Sequence, residues 1–270
     1  LQQSQAGKAL RLYRQMLEEG VDGDHHTLVF ALQACCNLIS DGTNHLGEQS
    51  PNLISLEIGN ALHVHVRRKG FTKSVFVGTA LLSMYRKCGS VEEAENVFIV
   101  LSQRNVVSWN AMISAYAQQG QSSNALVLFW KMLQQGFEPS KVTFVSLLDA
   151  CASDLMIDEA MLMHAYIASS SFEADSVVGT SLVNIYGKCG MVNDALMVFE
   201  MMSERNVICW NAIIASYANG SGKDVDMLMK LYVEMQEECF LPDKVTFISV
   251  LHGCANPSFL YEGRKLHARF

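Results

Sequence analysis

Residues Val75–Ala117 read "VFVGTALLSMYRKCGSVEEAENVFIVLSQRNVVSWNAMISAYA", and 101 residues later Ser176–Ala218 read "SVVGTSLVNIYGKCGMVNDALMVFEMMSERNVICWNAIIASYA". Thr79/Thr180, Cys88/Cys189, Gly89/Gly190, Phe98/Phe199, Asn105/Asn206, Trp109/Trp210 and Tyr116/Tyr217 coincide under this shift. A two-residue insertion then lengthens the shift to 103, and "KVTFVSLLDACA" from Lys141 meets "KVTFISVLHGCA" from Lys244. Upstream, a shift of 116 sets Met16 on Met132 and Cys35 on Cys151. Self-similarity at a fixed period is the signature of a repeat architecture.

The long period divides into three. Val106–Ser140 and Lys141–Asp175 hold 35 residues each, and Ser176–Asn206 holds 31. Each segment reads as two helices joined by a turn. In Val75–Asn105 the first helix carries Ala80, Leu81, Met84 and Tyr85 at helical spacing. Gly89 stops it, because glycine accepts the left-handed conformation of a helix end, and Gly120 and Gly190 repeat the stop. Ser90 with Glu93 has the pattern of a capping box opening the second helix, whose stripe is Ala94, Val97 and Phe98. A pair of short helices cannot bury both apolar faces alone, so such pairs must stack in series. The expected fold is all-α: a right-handed α-solenoid of stacked helix-turn-helix repeats.

Composition agrees. Half of the 270 residues are hydrophobic and only 4 are proline, which suits a large buried core without disordered tracts. No apolar run reaches the 18 or so residues of a membrane span, so no membrane role is expected. The net charge of −7 argues against nonspecific nucleic-acid binding, which needs cations to displace counterions. In a repeat protein, however, charge can sort by face: acids gather at Glu92, Glu93 and Glu95, while Ser108–Gln119 carries none. The 8 cysteines form no C-x-x-C pair and mostly recur by repeat position, the pattern of buried, reduced thiols. Leu1 opens a segment that reads as mid-helix, and Arg264–Phe270 is helical in pattern. The sequence therefore reads as a fragment cut at both ends, with any targeting peptide outside it.

Helical pairs of this length have two main families. The W-x₂-L-G-x₂-Y pattern of tetratricopeptide repeats is missing. Instead "NVVSWNAMISAYAQQGQSSNALVLFWKMLQQGFEPS", "VTFVSLLDACA" followed by "MHAYI", and "VVGTSLVNIYGKCG" resemble the P, L and S motifs of plant pentatricopeptide repeat proteins of the PLS class. The resemblance covers essentially the whole chain. It implies a single array: partial P (1–24), L (25–74), S (75–105), P (106–140), L (141–175), S (176–206), P (207–243) and partial L (244–270). The first L motif has 50 residues, about 15 more than the second; the surplus falls near Ile39–Leu53, read as a polar surface loop.

The resemblance also implies a chemistry. First helices of the motifs line a concave face. The fifth and last residues of a motif read one base of single-stranded RNA, and the second residue clamps it. A splayed base offers its hydrogen-bonding edge to short polar side chains, one base per repeat. By position the readers are Thr79 with Asn105 and Thr180 with Asn206 (adenine), Asn110 with Ser140 (cytosine), and Asn211 with Asp243 (uracil). Val29 and Val145 stand at the fifth position of L motifs and cannot hydrogen-bond. The implied preference is 5′-A-C-x-A-U-3′, with repeat order parallel to the RNA. Phe76, Val107, Val177 and Ile208 are the implied clamps, although Val107 and Ile208 equally suit plain core. Lys87 and Lys188 suit phosphate contacts or solvated helix ends. For the polar readers the rival role is ordinary helix capping.

No catalytic or metal site is expected. His63, His164 and His267 share one position in three L motifs, a repeat apart, which suits packing rather than convergence on zinc. Cys35, Cys151 and Cys254 likewise share a position, as do Cys88 and Cys189. Trp109 and Trp210 are expected to wedge between helices. The H-x-E and P-C-x-x-C signatures of zinc deaminases are absent from the sequence, and no cofactor is implied. The PLS resemblance implies site recognition for C-to-U editing of RNA in mitochondrion or chloroplast, with the deaminase in a missing domain or a separate protein, and with editing cofactor proteins as further partners. An RNA processing, splicing or stability factor, or a protein-binding α-solenoid scaffold, remain the alternatives.

Overall fold

A computed structural model describes residues 5–40, 51–220 and 224–254, all helix and turn among these residues. The chain divides into two compact units, residues 1–143 and 144–270.

In the first unit the helices are α1 (Gln5–Glu18), α2 (His25–Ser40), α3 (Pro51–Arg68), α4 (Val75–Cys88), α5 (Val91–Val100), α6 (Val106–Gln118) and α7 (Ser122–Gln134), with a 3₁₀ turn at Phe71–Lys73. α8 (Lys141–Asp154) begins in this unit and ends in the next. The second unit continues with α9 (Ile157–Ala168), α10 (Ser176–Lys188), α11 (Val192–Met201), α12 (Val207–Asn219), α13 (Val225–Glu237) and α14 (Lys244–Gly253). Within the first unit α2, α4 and α6 pack successively side by side, and α3, α5 and α7 each pack on the helix before them. Within the second, α10, α12 and α14 form the corresponding row, backed by α11 and α13. This is the α-solenoid arrangement expected: first helices make one layer and second helices the other.

The packing follows from the stripes. α4 buries Val77, Leu81, Met84, Tyr85 and Cys88, and α5 buries Val91, Ala94, Val97 and Phe98, both at three- and four-residue spacing. Each such aliphatic or aromatic side chain contributes roughly 1.5–3 kcal/mol on burial. α6 is buried on nearly every side from Ser108 to Tyr116, which is why that stretch carries no charge. Trp109 is fully buried and meets Phe98 edge-on at 4.9 Å, and Trp210 meets Phe199 at 4.7 Å. Both indoles are therefore wedges between helices, as expected.

Helix ends repeat as well. Gly89 has φ 78°, with the Ser90 N–H bonded to the Tyr85 carbonyl at 3.0 Å, a left-handed stop. Gly136 makes the same stop after α7, but its counterpart after α13 is Cys239, at φ 64°.

Two expectations need correction. Ser90 precedes α5 but caps nothing with its side chain, so the Ser90–Glu93 box does not form. Its backbone is committed to the stop after α4 and has ψ 81°, outside the extended range in which a serine hydroxyl reaches the first helical N–H groups. Capping boxes form instead at Asn105 with Ser108 and at Asp243 with Thr246, both on extended residues. Second, the ends of the Ile39–Leu53 segment are not loop: Ile39 and Ser40 complete α2, and Pro51 opens α3, where its missing N–H costs nothing. Residues 41–50, together with His267 and the helical pattern at 264–270, lie outside the described residues.

Candidate functional site

In the first unit a groove of about 600 Å³ runs along the first-helix layer. Val29, Cys36, Phe76, Thr79, Lys87, Asn105 and Val107 line it, so the expected reading pair Thr79 and Asn105, two of the expected clamps, one of the expected phosphate lysines and Val29 meet in one place. Phe76, Val107, Val177 and Ile208 are 75%, 58%, 48% and 68% exposed. The core alternative for Val107 and Ile208 is thereby excluded. Val142 and Val245, which hold the same second position in the L motifs, are equally exposed, a repetition visible in the sequence but not singled out there.

The polar pairs take two different forms. In the P motifs the two members touch. Asn110 Nδ2 donates to Ser140 Oγ at 2.8 Å, and Thr143 Oγ1 donates to Asn110 Oδ1 at 2.5 Å. The Ser140 N–H in turn donates to Thr143 Oγ1 at 2.9 Å. The second copy is the same: Asn211 Nδ2 lies 3.0 and 3.1 Å from the two Asp243 carboxylate oxygens, Thr246 Oγ1 donates to Asn211 Oδ1 at 2.6 Å, and the Asp243 N–H donates to Thr246 Oγ1 at 3.0 Å. Thr143 and Thr246 are wholly buried. They were not among the expected site residues; their only signal was the "KVTF" shared by Lys141 and Lys244. Asn110 and Asn211 are buried too, so their amides are oriented by these bonds. The backbone N–H of Thr246 above all, helped by Asn211, the Thr246 hydroxyl and the Val245 N–H, holds the Asp243 carboxyl below the usual carboxylate range against desolvation. Asp243 is therefore ionised at neutral pH, an acceptor only.

In the S motifs the members stand apart. Thr79 Oγ1 donates to the Val75 carbonyl one turn back at 2.7 Å, and Thr180 Oγ1 lies 2.6 Å from the Ser176 carbonyl. Asn105 Oδ1 accepts the Ser108 N–H at 2.8 Å; Asn206 Oδ1 accepts those of Ile208 and Cys209 at 2.9 and 3.1 Å. Capping is thus real for Asn105 and Asn206, and it leaves both side-chain NH₂ groups without a hydrogen bond among the described residues. The two copies differ at this position: Cys209 Sγ bridges Thr180 Oγ1 (3.3 Å) and Asn206 Oδ1 (3.4 Å), where the first copy has Ser108, which closes a capping box with Asn105.

Lys87 is half-buried and Lys188 exposed, and each reaches a backbone carbonyl. Lys87 Nζ lies 3.4 Å from the Cys36 carbonyl, and Lys188 Nζ 3.5 Å from that of Ala152, each bonding the last turns of the preceding L-motif first helix. Burial raises the Asp149 carboxyl while nearby Lys188 and Ser181 pull it down; the matching residue in the first unit is Gln33. The L-motif histidines are packing residues: His63 Nδ1 meets Tyr85 Oη at 2.8 Å and His164 Nδ1 meets Tyr186 Oη at 2.7 Å, and burial lowers both imidazole pKa values. None of the eight cysteines is in a disulfide. Burial lifts the thiols of Cys35 to about 12 and of Cys88 and Cys151 to about 11, which makes them poor nucleophiles.

Comparison with known proteins agrees with this geometry. The PPR repeat family matches at residues 104–153 and 205–256, and the PPR repeat itself at 79–106, 142–169 and 180–207. Together these span more than half of the chain. The chain is 36% identical over 263 residues to the Arabidopsis thaliana pentatricopeptide repeat-containing protein CRR2, chloroplastic, covering 96% of this chain and 38% of that protein. It is 33% identical over 210 residues to the mitochondrial protein At3g24000 of the same plant, covering 78% and 33%. The chain thus spans well under half of the curated relatives it matches. Among solved structures, the pentatricopeptide repeat protein PPR10 in complex with an 18-nt psaJ RNA element superposes with a TM-score of 0.72 at 17% identity, covering 98% of this chain and 42% of that one. At that identity the likeness concerns the fold. On the family matches and the sequence relatives together, the chain belongs to the pentatricopeptide repeat family.

Proposed function

We propose that the chain binds single-stranded RNA sequence-specifically in a plant organelle, reading one base at each P and S motif. The observation that carries the reading is the P-motif pair, in which a buried threonine holds the fifth-position asparagine against the last residue of the motif. The hydrogen-bonding valences left over sort the bases. Ionised Asp243 accepts, which suits uracil N3–H. The Ser140 hydroxyl can donate to cytosine N3, and the free NH₂ groups of Asn105 and Asn206 can donate to adenine N1. A threonine at the fifth position is shorter than asparagine and leaves room for a purine. The clamps would hold each base by apolar contact, at the low end of about 1–3 kcal/mol per base. Lys87 and Lys188 would exchange a carbonyl for a phosphate. The motif register is that of the PLS-like array, and the preference is 5′-A-C-x-A-U-3′.

The organelle assignment draws on the chloroplast and mitochondrial relatives, and RNA as ligand on the PPR10 complex. Recognition of a cytidine for C-to-U editing is the finer reading, and it follows from the PLS-like motif order. The deaminase chemistry would then come from another domain or protein, recruited directly or through editing cofactor proteins. A processing, splicing or stability factor would use the same groove. The scaffold alternative has the net charge of −7 behind it. Binding of the chain to oligonucleotides containing A-C-N-A-U and to scrambled versions separates them: tighter binding of the former is expected, and equal, negligible binding of both would sink the RNA reading.

A further inference from the structure

A second cavity, of about 350 Å³, opens among α5, α6 and α7 in the first unit, lined in part by Glu95, Arg104, Trp109, Asn124, Lys131 and Gln135. Trp109 lies two residues beyond Val107 on α6, about 200° around the helix, so this cavity is on the side away from the reading groove. Its chemistry is explained by its own repeat. In the second unit Arg205 lies 4.7 Å over the Phe199 ring, donates to the Phe199 carbonyl, and forms an ion pair with Glu238 at 2.9 Å. In the first unit Arg104 repeats the first two contacts, 4.7 Å over Phe98 with two bonds to the Phe98 carbonyl at 3.2 and 3.3 Å. The residue matching Glu238 is Gln135, and Nη1 of Arg104 has no hydrogen bond among the described residues. Likewise Lys131 stands where the second unit has Glu234, and Asn124 where it has Met227. One copy of the site carries its own carboxylate; the other has exchanged it for an amide, gained a lysine, and kept an open cavity.

We propose that this cavity is a docking site for a carboxylate side chain of a partner protein, the guanidinium of Arg104 and the ammonium of Lys131 taking the role that Arg205 plays toward Glu238. Two cations against the one acid, Glu95, give it the complementary charge, and a planar guanidinium edge is the preferred seat of a carboxylate. The site is independent of RNA reading. A protein bound there would leave the groove clear, so the same motif pair can serve a base on one side and a partner on the other.

The three tryptophans give a direct probe, because each indole N–H is a separate NMR signal and Trp109 lies 5.9 Å from the Arg104 guanidinium. The ¹⁵N-labelled chain is titrated with the peptide Ac-Ala-Glu-Ala-NH₂ and with Ac-Ala-Gln-Ala-NH₂. The expected result is a saturable shift of Trp109 with the glutamate peptide, about tenfold weaker binding of the glutamine peptide, and no shift of Trp210. Gln135→Glu abolishes the response by supplying the carboxylate internally. Equal responses to the two peptides, or a response that survives Gln135→Glu, would overturn the proposal. So would inorganic phosphate or an RNA oligonucleotide moving Trp109 as strongly as the glutamate peptide, since the cavity would then be a phosphate site.

Discussion

The P-motif pairs and the S-motif pairs occupy the same two positions of their repeats and are built in opposite ways. Asn110 with Ser140, and Asn211 with Asp243, are bonded to each other over a buried threonine before any ligand arrives. Thr79 and Thr180 spend their hydroxyls on their own helix, while Asn105 and Asn206 spend their carbonyls on capping the next one. The P pairs are preorganised as a unit, which lowers the ordering cost of binding. In the first S pair the two side chains are anchored but separate; in the second, Cys209 Sγ lies between them. Under the proposed reading, a base at a P motif would meet a rigid edge, and a base at the first S motif would itself have to join the two residues. Selectivity should therefore be sharper at the P motifs.

The comparison breaks most visibly at the buried threonine. Thr246→Val keeps the volume, removes the donor to Asn211 and the acceptor for the Asp243 N–H, and leaves a buried amide oxygen unsatisfied. A loss of roughly 1–3 kcal/mol in denaturant unfolding is expected, with weaker discrimination at that P motif but not at the S motifs. Next, Asn105→Ala removes a cap and should cost about 1 kcal/mol, together with the adenine preference of the first S motif. Loss of stability with the base preference intact would show Asn105 to be a cap only. The smallest effect separates the two copies of the P motif. Cys239 takes the left-handed conformation that Gly136 takes in the first copy, so Cys239→Gly should stabilise the chain by about 0.5–1 kcal/mol, read as a higher Tm.

The layers, the helix stops at Gly89, Gly120 and Gly190, and the Trp wedges were legible because each rests on a side chain whose preference is local and repeated. What was not legible depends on backbone direction or on distant partners. Ser90 and Glu93 are the residue types of a capping box, but the stop just before Ser90 leaves its backbone outside the extended range, and its side chain makes no cap hydrogen bond. Leu155 and Cys239 adopt positive φ without the glycine that would announce it. Lys87 and Lys188 find carbonyls 51 and 36 residues earlier in the chain, which no spacing rule reveals. Within the candidate site, the expected reading positions follow from the register of the resemblance alone, whereas the threonines beneath them are evident only in the folded chain. Thr143 and Thr246 read like any polar residue in a helical first turn, and only their complete burial against asparagine shows that they orient Asn110 and Asn211.

The central claim is that the residue beside a fixed last position decides which base is read. Asn211→Thr tests it most directly, because Asp243 stays in place as an acceptor while the bonded asparagine is replaced by the separate threonine of an S motif. Binding is measured against oligonucleotides differing only at the base opposite this motif. The account predicts that the preference moves from uracil to guanine, the purine that also offers an N–H donor on its pairing edge. An unchanged preference for uracil, or equal affinity for all four bases before and after the change, would contradict it.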